Sequence, residues 1–377
     1  MMNNKPKFTI FAILILTPMT TIYASGNKNS LIPKLMEQPG IVEAQFLFEK
    51  APFRSSHAST IVETQDNFIS AYFAGTDEGN KDVGIWISIK PKDSSFWSEP
   101  VEVADGIQFS RLPSKEQERH PCWNPVLYQA DNGQLLLFYK VGPTPASWWG
   151  MLTVSNNQGK TWSEPRRLPE GILGPVRAKP VKLPDKTLLC GSSTEDKGWR
   201  VHMEITPDLG KTWSRTEALN NGKDFPVIQP TILTYPDGKL QILCRSRRNL
   251  RQSWSTDGGK TWSPLILSIL PNPSAGIDAV TLADGRQLLV YNHSARGRDQ
   301  LNVAVSTDGK NWKAALKLED SFTIGGKKAY GAYPAAIQAS DGFVHITYTW
   351  RREKINYVVI DPSKLVLHDI RDGKWPE

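Results

Sequence analysis

Short apolar runs rich in β-branched and aromatic residues recur along the chain. Each is led in by polar or proline-containing residues, and several end in an Asp-Gly or Asn-Gly turn. That rhythm of strand and turn signals predicts β-hairpins rather than helices. Six lead-ins align with one another: His57-Ala-Ser-Thr-Ile-Val, His120-Pro-Cys-Trp-Asn-Pro-Val-Leu, Gly174-Pro-Val-Arg-Ala-Lys-Pro-Val, Ile228-Gln-Pro-Thr-Ile-Leu, Ser274-Ala-Gly-Ile-Asp-Ala-Val-Thr-Leu and Tyr333-Pro-Ala-Ala-Ile-Gln. Turns at Asp131-Asn-Gly133, Asp237-Gly238, Asp284-Gly285 and Asp341-Gly342 then lead into second strands such as residues 134–140 and 286–292.

A second repeat lies downstream of the lead-ins. Ser155-Asn-Asn-Gln-Gly-Lys-Thr-Trp162, Thr206-Pro-Asp-Leu-Gly-Lys-Thr-Trp213, Ser255-Thr-Asp-Gly-Gly-Lys-Thr-Trp262 and Ser306-Thr-Asp-Gly-Lys-Asn-Trp312 are hairpin turns closed by a tryptophan, and these tryptophans fall 51, 49 and 50 residues apart. A period of about 50 residues is what one four-stranded propeller blade occupies. Six lead-ins therefore predict an all-β chain, folded as a six-bladed β-propeller of four-stranded antiparallel blades. Blade one is expected to end in a degraded box at Phe96-Trp97-Ser-Glu-Pro. The strand around residues 41–48 is expected to complete the last blade beside residues 355–360, leaving no open edge where the ring closes.

Composition narrows the picture. With 28 Gly and 27 Pro the chain is turn-rich, and its three cysteines, an odd number, argue for buried thiols rather than a disulfide framework. The formal charge of +7 comes without any Lys/Arg block of five or more, which suits an anionic small ligand and gives no reason to expect nucleic acid. Lys5 and Lys7 precede an apolar run over residues 8–18 and small residues at Ala24 and Ser25, the pattern of an export signal. Residues 1–24 are thus expected to be a signal peptide and 25–377 a single propeller domain. That domain is expected to be a periplasmic or secreted monomer with no membrane insertion once the leader is removed. No metal-ligand spacing occurs, and neither a metal nor a cofactor is expected.

The boxes resemble the Asp boxes of the sialidase (neuraminidase) superfamily. Pro121-Cys-Trp-Asn-Pro-Val-Leu, Gln229-Pro-Thr-Ile-Leu and Tyr333-Pro-Ala-Ala-Ile-Gln resemble segments of a predicted-neuraminidase subgroup within it. The likeness covers nearly the whole chain after the leader. It implies a sialidase-like propeller with structural boxes on the outer rim and an axial pocket. The activity it implies is that of an exo-acting glycoside hydrolase releasing a terminal acidic sugar, sialic acid by family default, from a glycan.

Sialidases hold the substrate carboxylate with three arginines, whose forked, permanent charge lysine cannot copy. Phe53-Arg54 resembles the source of the first, Cys244-Arg245-Ser246 the second, and Arg296 or Arg298 would be the third. The family nucleophile is a tyrosine leading into blade six, here Tyr333 with Tyr330 as alternative. Its partner carboxylate would be Glu195, ahead of Glu204. The acid/base would be Asp82, ahead of Asp77 and Glu78. A tyrosine nucleophile suits an anionic sugar, because a carboxylate would face the substrate's own charge.

The lead-ins converge on the axis of a propeller, which makes Trp123, Asn124 and Gln229 candidate substrate contacts. Two histidines, His57 and His120, occupy equivalent lead-in positions of neighbouring blades. Beside a tyrosine and arginines they also fit proton abstraction from a uronate, as in propeller polysaccharide lyases. The alternatives to a sialidase are thus a lyase or hydrolase of uronate-containing glycans and a non-catalytic glycan-binding propeller. In Trp148-Trp149, strand alternation predicts one ring packed in the blade and one free to stack on sugar. Tyr333, preceding Pro334, is expected to be extended.

Overall fold

The computed structural model describes residues 31–108, 117–320, 323–324 and 327–376, so the expected signal peptide lies outside the described residues. Six antiparallel sheets follow one another around a ring. Blade one comprises Ser55–Glu63, Asn67–Gly75, Gly84–Pro91 and Val101–Ala104, from the axis outward. Blade two runs Cys122–Gln129, Leu135–Val141, Trp149–Ser155 and Arg166–Arg167. Blade three has a two-residue inner strand, Val181–Lys182, followed by Leu188–Thr194, Arg200–Thr206 and Ser214–Arg215. Its long lead-in over residues 174–180 is irregular rather than strand.

Blades four to six hold the remaining repeats. In blade four Leu240–Ser255 is one continuous segment, paired by its first half to Val227–Thr234 and by its second to Ile266–Pro273. Arg248, at φ +71°, marks its bend, and Gln241 donates to Gln252 at 2.7 Å between the two halves. Blade five comprises Asp278–Thr281, Gln287–Tyr291, Gln300–Ser306 and Trp312–Asp320, and gains a fifth strand, His368–Asp369, from the C-terminal segment. Blade six is Gly331–Gln338, Val344–Trp350 and Lys354–Ile360, completed by Ile41–Phe46 from the other end of the chain, with Ile41 opposite Ile360. That closure is the one the hydrophobic pattern predicts.

The boxes form as read. Asp257 accepts from the Thr261 amide at 2.9 Å and from the Thr261 and Ser255 hydroxyls, and the Trp262 indole donates to Gly259 O at 3.0 Å. Asp208 and Trp213, Asn157 and Trp162, and Asp308 and Trp312 repeat the arrangement. All three cysteines are buried and free.

Four inner strands share a bulge at the axis. Ala58, Asn124, Gln229 and Tyr333 all have positive φ (55°, 37°, 55° and 52°), each beside a register shift in its strand. This corrects the extended conformation expected of Tyr333. A residue before proline is pushed out of the right-handed helical region, but the bulge supplies a left-handed solution. Sideways hydrogen bonds accompany it, from Ala58 N to Thr349 Oγ1 at 3.1 Å and from Gln229 N to Ser193 Oγ at 3.2 Å.

The axis is also tied by Asp278 of blade five. Its buried carboxylate accepts from Lys179 Nζ (3.1 Å) of blade three, Thr231 Oγ1 (2.9 Å) of blade four and Ala336 N (2.9 Å) of blade six. Four donors including the neighbouring Ala279 amide satisfy a charge that burial would otherwise penalise.

Candidate functional site

Tyr333 projects from the bulge of blade six and is almost fully buried. Gly276 of blade five makes room for it: a Cβ there would lie 3.1 Å from Tyr333 Cγ. Three guanidinium carbons surround its ring, those of Arg177 at 5.4 Å from the centroid, Arg298 at 5.5 Å and Arg245 at 5.8 Å. Arg245 Nη1 donates to the Tyr333 hydroxyl at 2.6 Å and to Gln229 Oε1 at 3.2 Å. Arg298 donates to the Tyr330 hydroxyl at 3.1 Å and to Ser274 O at 3.0 Å.

A fourth arginine, Arg352, comes from the turn between Val344–Trp350 and Lys354–Ile360. It pairs with Glu78 and hydrogen-bonds Tyr330. Arg177 is wholly buried and donates to Pro334 O, while its Nε and other Nη have no partner. Arginine keeps its charge even so, so the cluster is strongly electropositive.

His57 lies against Tyr333, ring centroids 4.3 Å apart, with Nδ1 2.9 Å from Thr349 Oγ1 and Nε2 buried without a partner. Burial first, then the charges of Arg352, Arg298, Arg177 and Arg245, hold its pKa well below the usual histidine value. The imidazole is therefore neutral at pH 7. Glu195 stands beside Arg245 and hydrogen-bonds Trp199, whose ring carries the Arg245 guanidinium at 4.9 Å. Burial raises the Glu195 carboxyl above the usual range, with Arg245 and Trp199 partly offsetting it.

The structure brings together Tyr333, Tyr330, Arg245, Arg298, Glu195, Gln229, His57 and Glu78 of the residues singled out from sequence. It places the others differently. Arg54 and Arg296 are exposed, with no side-chain bond to the cluster. Asp82 closes its own loop by accepting from the Thr76 amide (2.8 Å) and hydroxyl (2.9 Å), so Glu78 is the carboxylate of that loop that reaches an arginine of the cluster. Trp123 is core, its indole donating to Gly142 O at 2.9 Å, and Asn124 is buried at the blade-two bulge. His120 faces Glu118 and the edge of Trp149, sharing no contact with His57. Glu204 is fully buried and accepts from the Leu173 and Gly174 amides, Ser192 and His202, a structural role.

Sequence reasoning gave Arg352 and Trp199 no role, and counted Arg177 only among the polar residues opening blade three. Arg352 belongs to no lead-in and follows a second arginine in a turn, so nothing local distinguishes it from a surface charge.

A six-bladed ring with Asp boxes on its hairpins and an arginine-walled tyrosine on its axis defines a propeller of the sialidase type. Solved structures share the fold. A protein of unknown function from Dyadobacter fermentans is 16% identical with a TM-score of 0.69, covering 85% of this chain and 98% of that one. The NanB sialidase of Streptococcus pneumoniae is 14% identical (TM-score 0.66; 85% and 71% covered), and the intramolecular trans-sialidase of Ruminococcus gnavus 13% identical (0.65; 86% and 99%). No curated protein matches by sequence. Residues 66–346 match the BNR repeat-like domain, and the chain belongs to that family.

Proposed function

We propose that the protein is an exo-acting glycoside hydrolase that releases a terminal acidic sugar from a glycan. One observation carries this reading: Tyr333 sits among three guanidinium groups, with Arg245 bonded to its hydroxyl. Arg245 and Arg298 line the place where a carboxylate would be held by paired, charge-assisted hydrogen bonds. Tyr333 is the nucleophile in this scheme. Glu195 takes its proton, and the leaving oxygen is protonated by an acid group of the loop after blade one, which carries Asp77, Glu78 and Asp82. The solved sialidases of the same fold support the chemistry as a class, and sialic acid is the first sugar to test.

A second reading is a propeller that binds acidic glycans without turnover. It is favoured by one feature: among the described residues the Tyr333 hydroxyl bonds to Arg245 and to no carboxylate. The lyase reading is narrowed from a histidine pair to His57 alone, which lies against Tyr333 while His120 faces Glu118 and Trp149.

Product analysis on sialosides and on uronate-containing oligosaccharides decides between these. Release of the terminal acid by the wild type, reduced by about a thousandfold or more in Tyr333→Phe, is the expected result for a lost nucleophile. Near-normal turnover by Tyr333→Phe removes its role. An unsaturated uronate absorbing in the ultraviolet overturns hydrolysis, and retention of glycan with no product establishes the binding reading.

A further inference from the structure

Of the four arginines around the axis, Arg177 differs from the rest in what it touches. Arg245 and Arg298 reach phenolic hydroxyls, and Arg352 pairs with Glu78. Arg177 is 1% exposed, so its contacts are with protein and not with the pocket. Its one hydrogen bond goes to Pro334 O, the carbonyl next along the chain from Tyr333, and its guanidinium carbon lies 5.4 Å from the Tyr333 ring centroid. Nε and the other Nη are buried without a partner among the described residues. The nearby Asp278 carboxylate accepts from Lys179, Thr231, Ala279 and Ala336 instead.

A buried cation with unmatched donors costs stability that an apolar side chain of the same length would not. The fold nonetheless fixes the segment that carries it. Glu204 accepts from the Leu173 and Gly174 amides and Lys140 donates to Pro175 O, so three successive residues are anchored just before Val176 and Arg177. Burial lowers the Arg177 pKa, while Asp278 and negative charge on Tyr333 oppose that shift. The last coupling is mutual: the free energy by which a charged Tyr333 oxygen favours the guanidinium is the free energy by which the guanidinium favours that charge. Such a fixed cation in a dry site acts on a developing charge without any water having to reorganise.

We infer that Arg177 is a positioning residue for the nucleophile, a buried fixed cation that stabilises the negative charge gathering on Tyr333 during glycosyl transfer without touching the sugar. The inference rests on the hydrolase reading and deepens it. In that step the Tyr333 oxygen bonds to the anomeric carbon as the bond to the leaving oxygen breaks. The phenolic proton passes to Glu195, and an acid of the loop after blade one gives a proton to the leaving oxygen. The carboxylate of a bound acidic sugar neutralises Arg245 and Arg298. Arg177, out of its reach, keeps its charge for Tyr333, whose hydroxyl bonds to Arg245 and to no carboxylate among the described residues.

Arg177→Gln and Arg177→Lys separate charge from hydrogen bonding, since both side chains can donate to Pro334 O and only lysine is charged. Single-turnover rates on sialyllactose and on a glucuronate-terminated oligosaccharide, with enzyme in excess, read the glycosyl-transfer step. Calorimetric titration with free sialic acid and free glucuronate reads the acid-binding arginines. On the substrate that wild type turns over, Arg177→Gln is expected to slow transfer about a hundredfold, the scale of one lost charge-stabilising group. Its affinity for the free acid is expected to stay within about twofold of wild type. Arg177→Lys is expected to recover about tenfold of the lost rate. The unfolding midpoint of Arg177→Gln is expected to equal or exceed that of wild type, because an unmatched charge leaves the interior. Equal rates in the two variants, or a wild-type rate in Arg177→Gln, overturn the inference while the hydrolase reading stands. A lowered unfolding midpoint with weakened acid binding in either variant marks Arg177 as structural and overturns it too. Absence of turnover by wild type on both substrates removes the hydrolase reading and this inference with it.

Discussion

Tyr333 occupies a conformation that costs about 1–3 kcal/mol for a residue with a side chain, at φ +52°. Pro334, the bulge and the space left by Gly276 together hold it there. Gly276 has ordinary backbone geometry, so alanine is tolerated locally, but its methyl would approach Tyr333 Cγ, Cδ1 and Cδ2 at 3.1–3.3 Å. Gly276→Ala is therefore expected to displace the ring by a few tenths of an ångström. The predicted signature is a fall in kcat of about tenfold or more with Tm little changed, because catalysis responds to small misplacement more steeply than stability does. Unchanged kcat would show that the ring position is not set by this contact. Tyr333 and Arg245 were legible in the sequence because each stands on a repeated part of the blade, a lead-in and a second strand, whereas the loop after the second strand of blade five offered Arg296 and Arg298 alike. Arg352 was not legible, because its place at the site depends on the turn that swings it over blade one.

Blade three carries its axial residues on the least regular element. Its inner strand has two residues, so Arg177 is positioned by the buried loop before it rather than by a sheet ladder. Glu204 fixes that loop through the Leu173 amide at 3.0 Å and the Gly174 amide at 2.6 Å, and Ser192 and His202 complete its shell. Removing such a carboxylate leaves buried donors unmatched. Glu204→Ala is expected to lower unfolding free energy by about 3 kcal/mol, read from the urea midpoint. A loss under about 0.5 kcal/mol, the level of an ordinary surface change, would refute its structural role. Glu204 was read as a remote alternative to Glu195, and the two are distinguishable only by which side of the blade each faces.

At the scale of the whole ring, the contact between blades five and six buries Glu319. Its carboxyl accepts from the Tyr348 hydroxyl at 3.0 Å while its second oxygen has no partner. Burial raises its pKa from an ordinary 4.5 to about 8, with the Tyr348 hydrogen bond and Arg351 partly opposing. The folded state thus binds this proton more tightly than the unfolded chain. The stabilisation is complete below about pH 4.5 and declines as pH rises through about 8. His57 and Lys140, whose pKa values are depressed by burial, act in the opposite sense. The diagnostic quantity is therefore the difference between wild type and Glu319→Gln. Wild type is expected to lose stability relative to the variant across that interval in urea unfolding at successive pH values, and a difference independent of pH would exclude the buried proton.

The sequence by itself determined the number of blades, the box hairpins, the terminal strand that closes the ring and the tyrosine on the axis. These rest on local turn chemistry and hydrophobic period repeated at one spacing, and repetition makes a weak signal strong. Only the tertiary structure decided which arginines surround Tyr333, that Glu78 rather than Asp82 reaches the cluster, and that His57 and His120 serve separate surroundings. Those relations join residues far apart in the chain, and their distances are set by how six sheets pack around an axis, a quantity no stretch of sequence contains.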